Sequence, residues 1–342
     1  MDRLTVFDSI TPVNRVYASR RILKIASRLD QTGRYATVDD LPKNMGDQLS
    51  LRRWQEWPEV TAPMSEYINP EAIVPTYEDF SVTVEAYGAT VRLSKKIADM
   101  HTDPFGKIQS QRAAENAART AMRVDYNTLK AGTNVSYGGT GTTRVTVNGP
   151  VTNNLLKNCM RQLENDGAML IKKRLTASDK VGTEPVPQSY VTFGHVNHRV
   201  DLEGLDGFLP VHKYSKPEDA DEGELGMCEG FRFLLNRDAP VILAGATSVT
   251  SSTYLSNKGK PSSSYPDIYH LIAIGEDSWS RVPLKGERGY SAGITPIVIN
   301  PGTASISDPM GRFGAISWWA YFASVITNQA WIHRMEVAAT YV

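Results

Sequence analysis

Cysteine is scarce in this chain: among 342 residues only Cys159 and Cys228 carry thiols, and they stand far apart. Two distant thiols do not make a disulfide framework, so reduced cysteines in a cytosolic setting are expected. Net charge is missing as well. The 37 Lys and Arg balance the 37 Asp and Glu, which removes any global electrostatic argument for a nucleic-acid binder. No window approaches the roughly 18 uninterrupted apolar residues of a spanning helix, and the first residues lack the apolar core of a secretory signal. The sequence therefore predicts neither standard export nor a membrane span, and no internal repeat is apparent. What remains is 41% hydrophobic and 22% charged, the balance of a soluble chain that can bury a sizeable core and divide into two or more domains.

The longest uninterrupted pattern runs from Asp103 to Gly132. Asp103 suits an N-cap, Pro104 the first turn and Gly132 the stop. A helix over 103–131 would be a rod of roughly 42 Å. Ala113, Ala114, Ala117, Ala118 and Ala121 leave little side chain on part of its surface, so another layer of backbone can approach closely. The expected arrangement is a spine helix lying across a sheet.

Before the spine, residues 1–15 read as an extended arm and Val16–Leu29 as a short basic amphipathic helix. From Leu41 the texture changes to long strands. Phe80, Val82, Val84 and Ala86 alternate with Ser81, Thr83 and Glu85, the pattern of a half-exposed strand. Two strands joined by about 20 irregular residues make a ribbon too thin for its own core, and such a pair is marginal in water. It needs something to lie on, and another copy of the chain is the expected support. Trp54, Trp57, Pro58 and Tyr67 are the candidate inter-subunit contacts on it.

After the spine, Arg144–Val147 reads as a small hairpin, and Thr152 or Asn153 as the start of a second helix. Ile268–Ile274 is almost continuously apolar and should be a central, buried strand. Trp319 to Val325 and Trp331 to Val337 each alternate around a turn at Asn328, which predicts an antiparallel aromatic hairpin under the spine. The class is α+β.

Several motifs point toward chemistry. Gly289-Tyr290-Ser291-Ala292-Gly293 satisfies G-x-S-x-G, but a nucleophile elbow needs a strand before it and a helix after it, and the flanking residues reverse that context. His195, His198 and Asp201, with Glu203 nearby, could hold a metal from one helical turn, yet no further cluster completes a site. Gly138–Thr143 is glycine-rich but lacks the Lys-Ser/Thr of a phosphate loop. Lys172-Lys173-Arg174 suits either a solvated helix end or contact with DNA. No catalytic residue, metal or cofactor is expected. Arg15, Arg20, Arg21, Lys24 and Arg28 on the basic N-terminal helix are candidates to face nucleic acid through phosphate charge alone, or to pair with neighbouring subunits.

The order of parts, with Ala86-Tyr87-Gly88-Ala89, Val91-Arg92-Leu93-Ser94, Asp103-Pro104, Asp125, Glu229-Gly230-Phe231-Arg232-Phe233, Asp308-Pro309-Met310-Gly311 and the run from Trp319 to Ile332, resembles the major capsid proteins of tailed bacteriophages. These share the Hong Kong 97 phage shell fold, and the nearest likeness is to the coat family named after the enterobacterial phage N-four. The resemblance implies an N-terminal arm (1–40), an extended β-ribbon loop (41–86), a peripheral domain (87–150 and 300–342) and an axial α/β domain (151–299). It further implies hexamers and pentamers closing an icosahedral virion head around double-stranded DNA, assembled in the host cytoplasm. Portal, scaffolding or decoration proteins would be further partners, with no membrane. Some relatives cross-link through a loop lysine; Lys43 is a nominal candidate, with no activating carboxylate evident, so no bond is expected. Alternatives are an encapsulin-type shell protein or an α/β hydrolase using Ser291.

Overall fold

Alanine decides where the longest helix lies. In the computed structural model the spine helix runs from Phe105 to Leu129, 25 residues or roughly 38 Å. Ala114, Ala117, Ala118 and Ala121 along it are fully buried. They share a core with Leu93, Ile316, Trp318, Ala320 and Phe322 of a sheet, and with Ile294 just before one of its strands. A methyl group has no rotamers to lose, and it lets the helix backbone approach the strands closely. Further along, Met122, Tyr126 and Leu129 turn the same helix into a different core, against Val191, Phe193, Leu234, Ile272, Ile274 and Ile332. One helix thus serves two sheets. The structure describes residues 29–61, 63–64, 72–100, 105–171, 186–214, 220–246, 254–256, 260–261, 265–285, 293–302 and 308–341; the expected Asp103-Pro104 start lies outside them.

The strands, in chain order, are β1 (Thr37–Val38), β2 (Gln48–Trp54), β3 (Tyr77–Thr83), β4 (Glu85–Ser94), β5 (Val135–Tyr137), β6 (Tyr190–His195), β7 (Leu209–Pro210), β8 (Glu224–Cys228) and β9 (Phe231–Asn236). There follow β10 (Val241–Ile242), β11 (Leu255–Ser256), β12 (Lys260–Pro261), β13 (Ile268–Ile274), β14 (Trp279–Pro283), β15 (Thr295–Ile299), β16 (Phe313–Ile326) and β17 (Ile332–Val337). The first sheet has the order β1-β14-β16-β15, with β4 also paired to β16 from Phe313↔Ser94 to Phe322↔Glu85. The second has the order β5-β17-β13-β6-β9-β8-β7, with β10 on β13. Every residue of β13 is buried, as its continuous apolar run requires. Helix Asn153–Asn165 starts where expected, Thr152 accepting a hydrogen bond from the Leu155 amide at 3.3 Å.

Two expectations are overturned. β16 and β17 do not form a hairpin: β17 pairs with β13 and β5, and β16 with β4, β14 and β15. All six residues of β17 are buried, so both of its faces need cover, and an internal place in the second sheet supplies it where a two-stranded hairpin under a helix cannot. Arg144–Thr146 is a 3-10 turn closed by Thr143 and Thr146 rather than a hairpin. In addition, β14 and β15, from within 151–299, belong to the first sheet.

The two halves are tied by a strap, residues 30–41. Asp30 and Asp125 both hold the Arg281 guanidinium, and all three side chains are fully buried. Thr32 donates to Asp125 Oδ2 at 2.6 Å, and Ser324 donates to Asp125 Oδ1 at 2.5 Å. Strap, spine, β14 and β16 therefore meet in one polar knot. A side chain at Gly33 would collide with the guanidinium, so this position has room only for glycine. Burial raises the Asp125 carboxyl above its ordinary range, against the pull of Arg281.

Candidate assembly surface

The ribbon is β2 and β3, antiparallel from Gln48↔Thr83 to Trp54↔Tyr77. Its alternation sorts side chains onto two faces. Leu49, Leu51, Phe80 and Val82 are half-buried on one. The opposite face carries Ser50, Arg52 and Trp54 beside Ser81, Asp79 and Tyr77. With no core of its own, the ribbon is held in register by cross-strand pairs. Arg52 meets Asp79 at 2.7 Å and lies 3.9 Å over the Tyr77 ring, while Trp54 and Tyr77 pack edge-on at 5.3 Å. Arg53 pairs with Glu78 at 2.7 Å and reaches the Thr327 carbonyl at 3.4 Å. A cleft of about 710 Å³ separates this part of the ribbon from Asp39, Met169, Asp277 and Trp331 of the body.

From the end of β2 onward large apolar groups stand in solvent. Trp54 is 59% exposed, Trp57 66%, Val60 70%, Met64 74% and Val74 81%; Pro58 is exposed as well. Tyr67 lies outside the described residues. Five large exposed apolar side chains between Trp54 and Val74 mark a surface meant to be covered. A second such surface is the side of the first sheet turned away from the spine. Phe313, Tyr321, Ile297 and Ile299 are exposed there, and Trp319 packs edge-on to Tyr321 at 5.0 Å. Gly88, paired with Trp319, makes room for it: an added Cβ would fall 2.9 Å from the Trp318 carbonyl.

The residues that suggested chemistry are dispersed among structural contacts. His195 Nδ1 accepts from the Asn197 amide at 3.1 Å. The His195 and His198 rings flank Tyr269 at 5.2 and 5.3 Å. His198 is fully buried, and burial pushes it down to about 3. Asp201 instead accepts from the Thr340 amide at 3.0 Å, and Glu203 pairs with Arg199 at 2.9 Å. The group expected to share one helical turn thus faces different partners. The Gly138–Thr143 loop folds on itself, Asn148 Oδ1 accepting from the Thr140 amide at 2.9 Å. Ser291, Lys172-Lys173-Arg174 and Arg15, Arg20, Arg21, Lys24 and Arg28 lie outside the described residues, and Lys43 sits in the exposed turn before β2.

Sequence reasoning missed the buried knot. One signal was available: Asp125 falls on the same helical face as Ala118, Ala121, Met122 and Leu129, and a carboxylate amid buried apolar positions requires a buried partner.

No family model matches the sequence, and no curated protein does. Solved structures do match. The capsid of Ralstonia phage GP4 aligns with a TM-score of 0.63 over 92% of this chain and 90% of that one, at 12% identity. The head structure of Helicobacter pylori bacteriophage KHP40 aligns at 0.57 over 90% and 88%, with 11% identity. This chain has the phage capsid fold. The capsid of the cyanophage P-SCSP1u follows at 0.53, over 89% and 87% and with 11% identity. Identities this low make the likeness one of fold, mixed in helix and strand as the sequence led one to expect.

Proposed function

We propose that this chain is the major capsid protein of a tailed double-stranded DNA bacteriophage, self-assembling into the hexamers and pentamers of an icosahedral head. The observation that carries the reading is the ribbon: on a phage-capsid fold, a two-stranded element without a core displays Trp54, Trp57, Val60 and Met64 to solvent. Many identical neighbours, each supplying the missing cover, make a closed lattice. In this proposal Trp54, Trp57, Pro58 and Tyr67 bury against an adjacent subunit. The shell is of the Hong Kong 97 type, nearest to the N-four-like coats. Its peripheral domain is drawn from residues 87–150 and 300–342 together with β14 and β15, its axial domain from the rest of 151–299 together with β5 and β17; residues 41–86 are its extended loop and residues 1–40 its arm. The arm's basic residues face packaged DNA without reading bases. The protein acts in the virion and is assembled in the host cytoplasm, with no cofactor and no catalytic residue.

Sizing chromatography with negative-stain microscopy of the purified chain tests this. Shells, tubes or capsomer rings are expected, and deletion of residues 55–75 should leave a folded subunit that forms none. Particles from the deleted chain would overturn the role given to the ribbon. A monomer that hydrolyses esters, and loses that activity with Ser291→Ala, would replace the shell by an enzyme. Closed shells made without any phage genome in the producing cell, and enclosing a protein cargo, would favour an encapsulin.

A further inference from the structure

The solvent side of the spine helix carries a charge pattern that its packing does not require. Arg112, Arg119 and Arg123 on the helix, and Lys130 one residue past its end with its amide still donating to the Tyr126 carbonyl at 3.0 Å, follow one another at steps of 7, 4 and 7 residues. At about 100° per residue these positions fall within an arc of roughly 40°. All four are exposed, and the stripe they make is roughly 27 Å long. The intervening exposed residues, Asn116 and Asn127, add no charge. Arg112 is held by Glu115 at 2.7 Å and Arg119 by Asp238 at 3.2 Å; such exposed pairs are weak and exchange readily for a stronger anion. Arg123 and Lys130 have no anionic partner among the described residues. On a chain whose formal net charge is zero, this is a localised cationic ridge on a rigid rod.

We propose that the ridge is a docking surface for double-stranded DNA, gripping its phosphates. The charge is complementary to a polyanion. The length fits within one turn of duplex, roughly 34 Å, so successive cations can reach phosphates on both sides of a groove. No aromatic side chain stands on the ridge to stack unpaired bases, which argues for duplex over single strands. Contacts of this kind position the duplex and carry no sequence preference. The inference takes its biological setting from the shell reading, with the spine side of the subunit turned toward the genome, but its physical content is independent of it.

The test is fluorescence anisotropy of a 30-base-pair duplex with the full-length chain across a salt series, beside microscopy of the same preparations. With Arg123→Gln and Lys130→Gln together, the slope of log K against log salt should become shallower by about 1.8, and Lys130→Gln alone by about 0.9. Arg161→Gln with Lys285→Gln, two exposed cations away from the ridge, should leave the slope unchanged. An unchanged slope in the spine variants overturns the proposal. So does an equal change in the control pair, or a loss of particles with duplex affinity intact, which would make the ridge an interface between copies. Particles without duplex binding in the parent chain would sink the ridge and spare the shell. Stripe-dependent binding by a chain that never assembles would do the reverse.

Discussion

The spine helix and the β2–β3 ribbon stand at opposite ends of self-sufficiency. The spine is finished within the subunit: alanines meet one sheet, Met122, Tyr126 and Leu129 meet the other, and its buried carboxylate has a buried arginine. The ribbon is unfinished. Arg53 ties it to the Thr327 carbonyl of the body at 3.4 Å, while Trp54 and Trp57 stand in water. The difference teaches where stability and function reside. Substitutions at the spine should be felt by the isolated subunit, and substitutions on the ribbon only by the assembly.

The largest effect is expected at the knot. Arg281→Met leaves Asp30 and Asp125 buried without their cation, and removing one partner of a buried pair typically costs about 3–5 kcal/mol. Urea unfolding of the subunit should register that loss; a change under about 1 kcal/mol would mean that the knot does not tie the strap to the spine. Next comes Ala118→Leu, which forces a branched side chain between helix and sheet. Overpacking of this kind costs about 1–3 kcal/mol, and a lowered melting temperature should follow. If that variant melts like its parent, the close approach of spine to sheet is not real.

A smaller, pH-dependent effect comes from histidines on the second sheet and its flank. Burial pushes His198 down to about 3, and His270 and His333 down to about 4. His198 also feels His195 and His270, while Glu336 pulls His270 the other way. Because the folded values lie below the unfolded value of 6.5, the unfolded chain binds more protons between them. Stability is therefore fully present above pH 6.5 and falls as acid is added toward pH 4. Each such group contributes roughly 1.4 kcal/mol per pH unit in that window. The raised Asp125 carboxyl acts in the opposite sense. His198→Phe should flatten the drop in urea midpoint between pH 7 and pH 5; an equally steep drop would show that His198 takes no part. The smallest stability effect belongs to the ribbon. Trp54→Ala with Trp57→Ala should change subunit stability by no more than about 0.5 kcal/mol while abolishing particles under the microscope. A strongly destabilised subunit would erase the contrast between the two regions.

Several parts of this architecture were legible in residue order. The alanine series announced a spine under close-packed strands, the unbroken apolar run of 268–274 announced a central strand, and alternation from Phe80 onward announced a ribbon with two unlike faces. Other parts were hidden. The alternation of Trp331 to Val337 equally fits an outer hairpin and an inner strand, because period two reports that side chains point both ways and not what covers each side. The histidine spacing was ambiguous for a related reason: it placed His198 and Asp201 near each other in sequence, but packing turned His198 into the interior and Asp201 toward the Thr340 amide.

By itself the amino-acid order determined the local forms, since helix and strand follow from propensity, small-residue stripes and hydrophobic period, all of which act over a few residues. It also determined that the ribbon would be left unsatisfied, because no nearby residues could cover it. Only the tertiary structure decided which sheet β14, β15 and β17 joined, and that Asp30, Asp125 and Arg281 would meet across 251 positions of chain. Those choices depend on burying every face and pairing every buried charge at once, a condition on the whole molecule that no short window of sequence expresses.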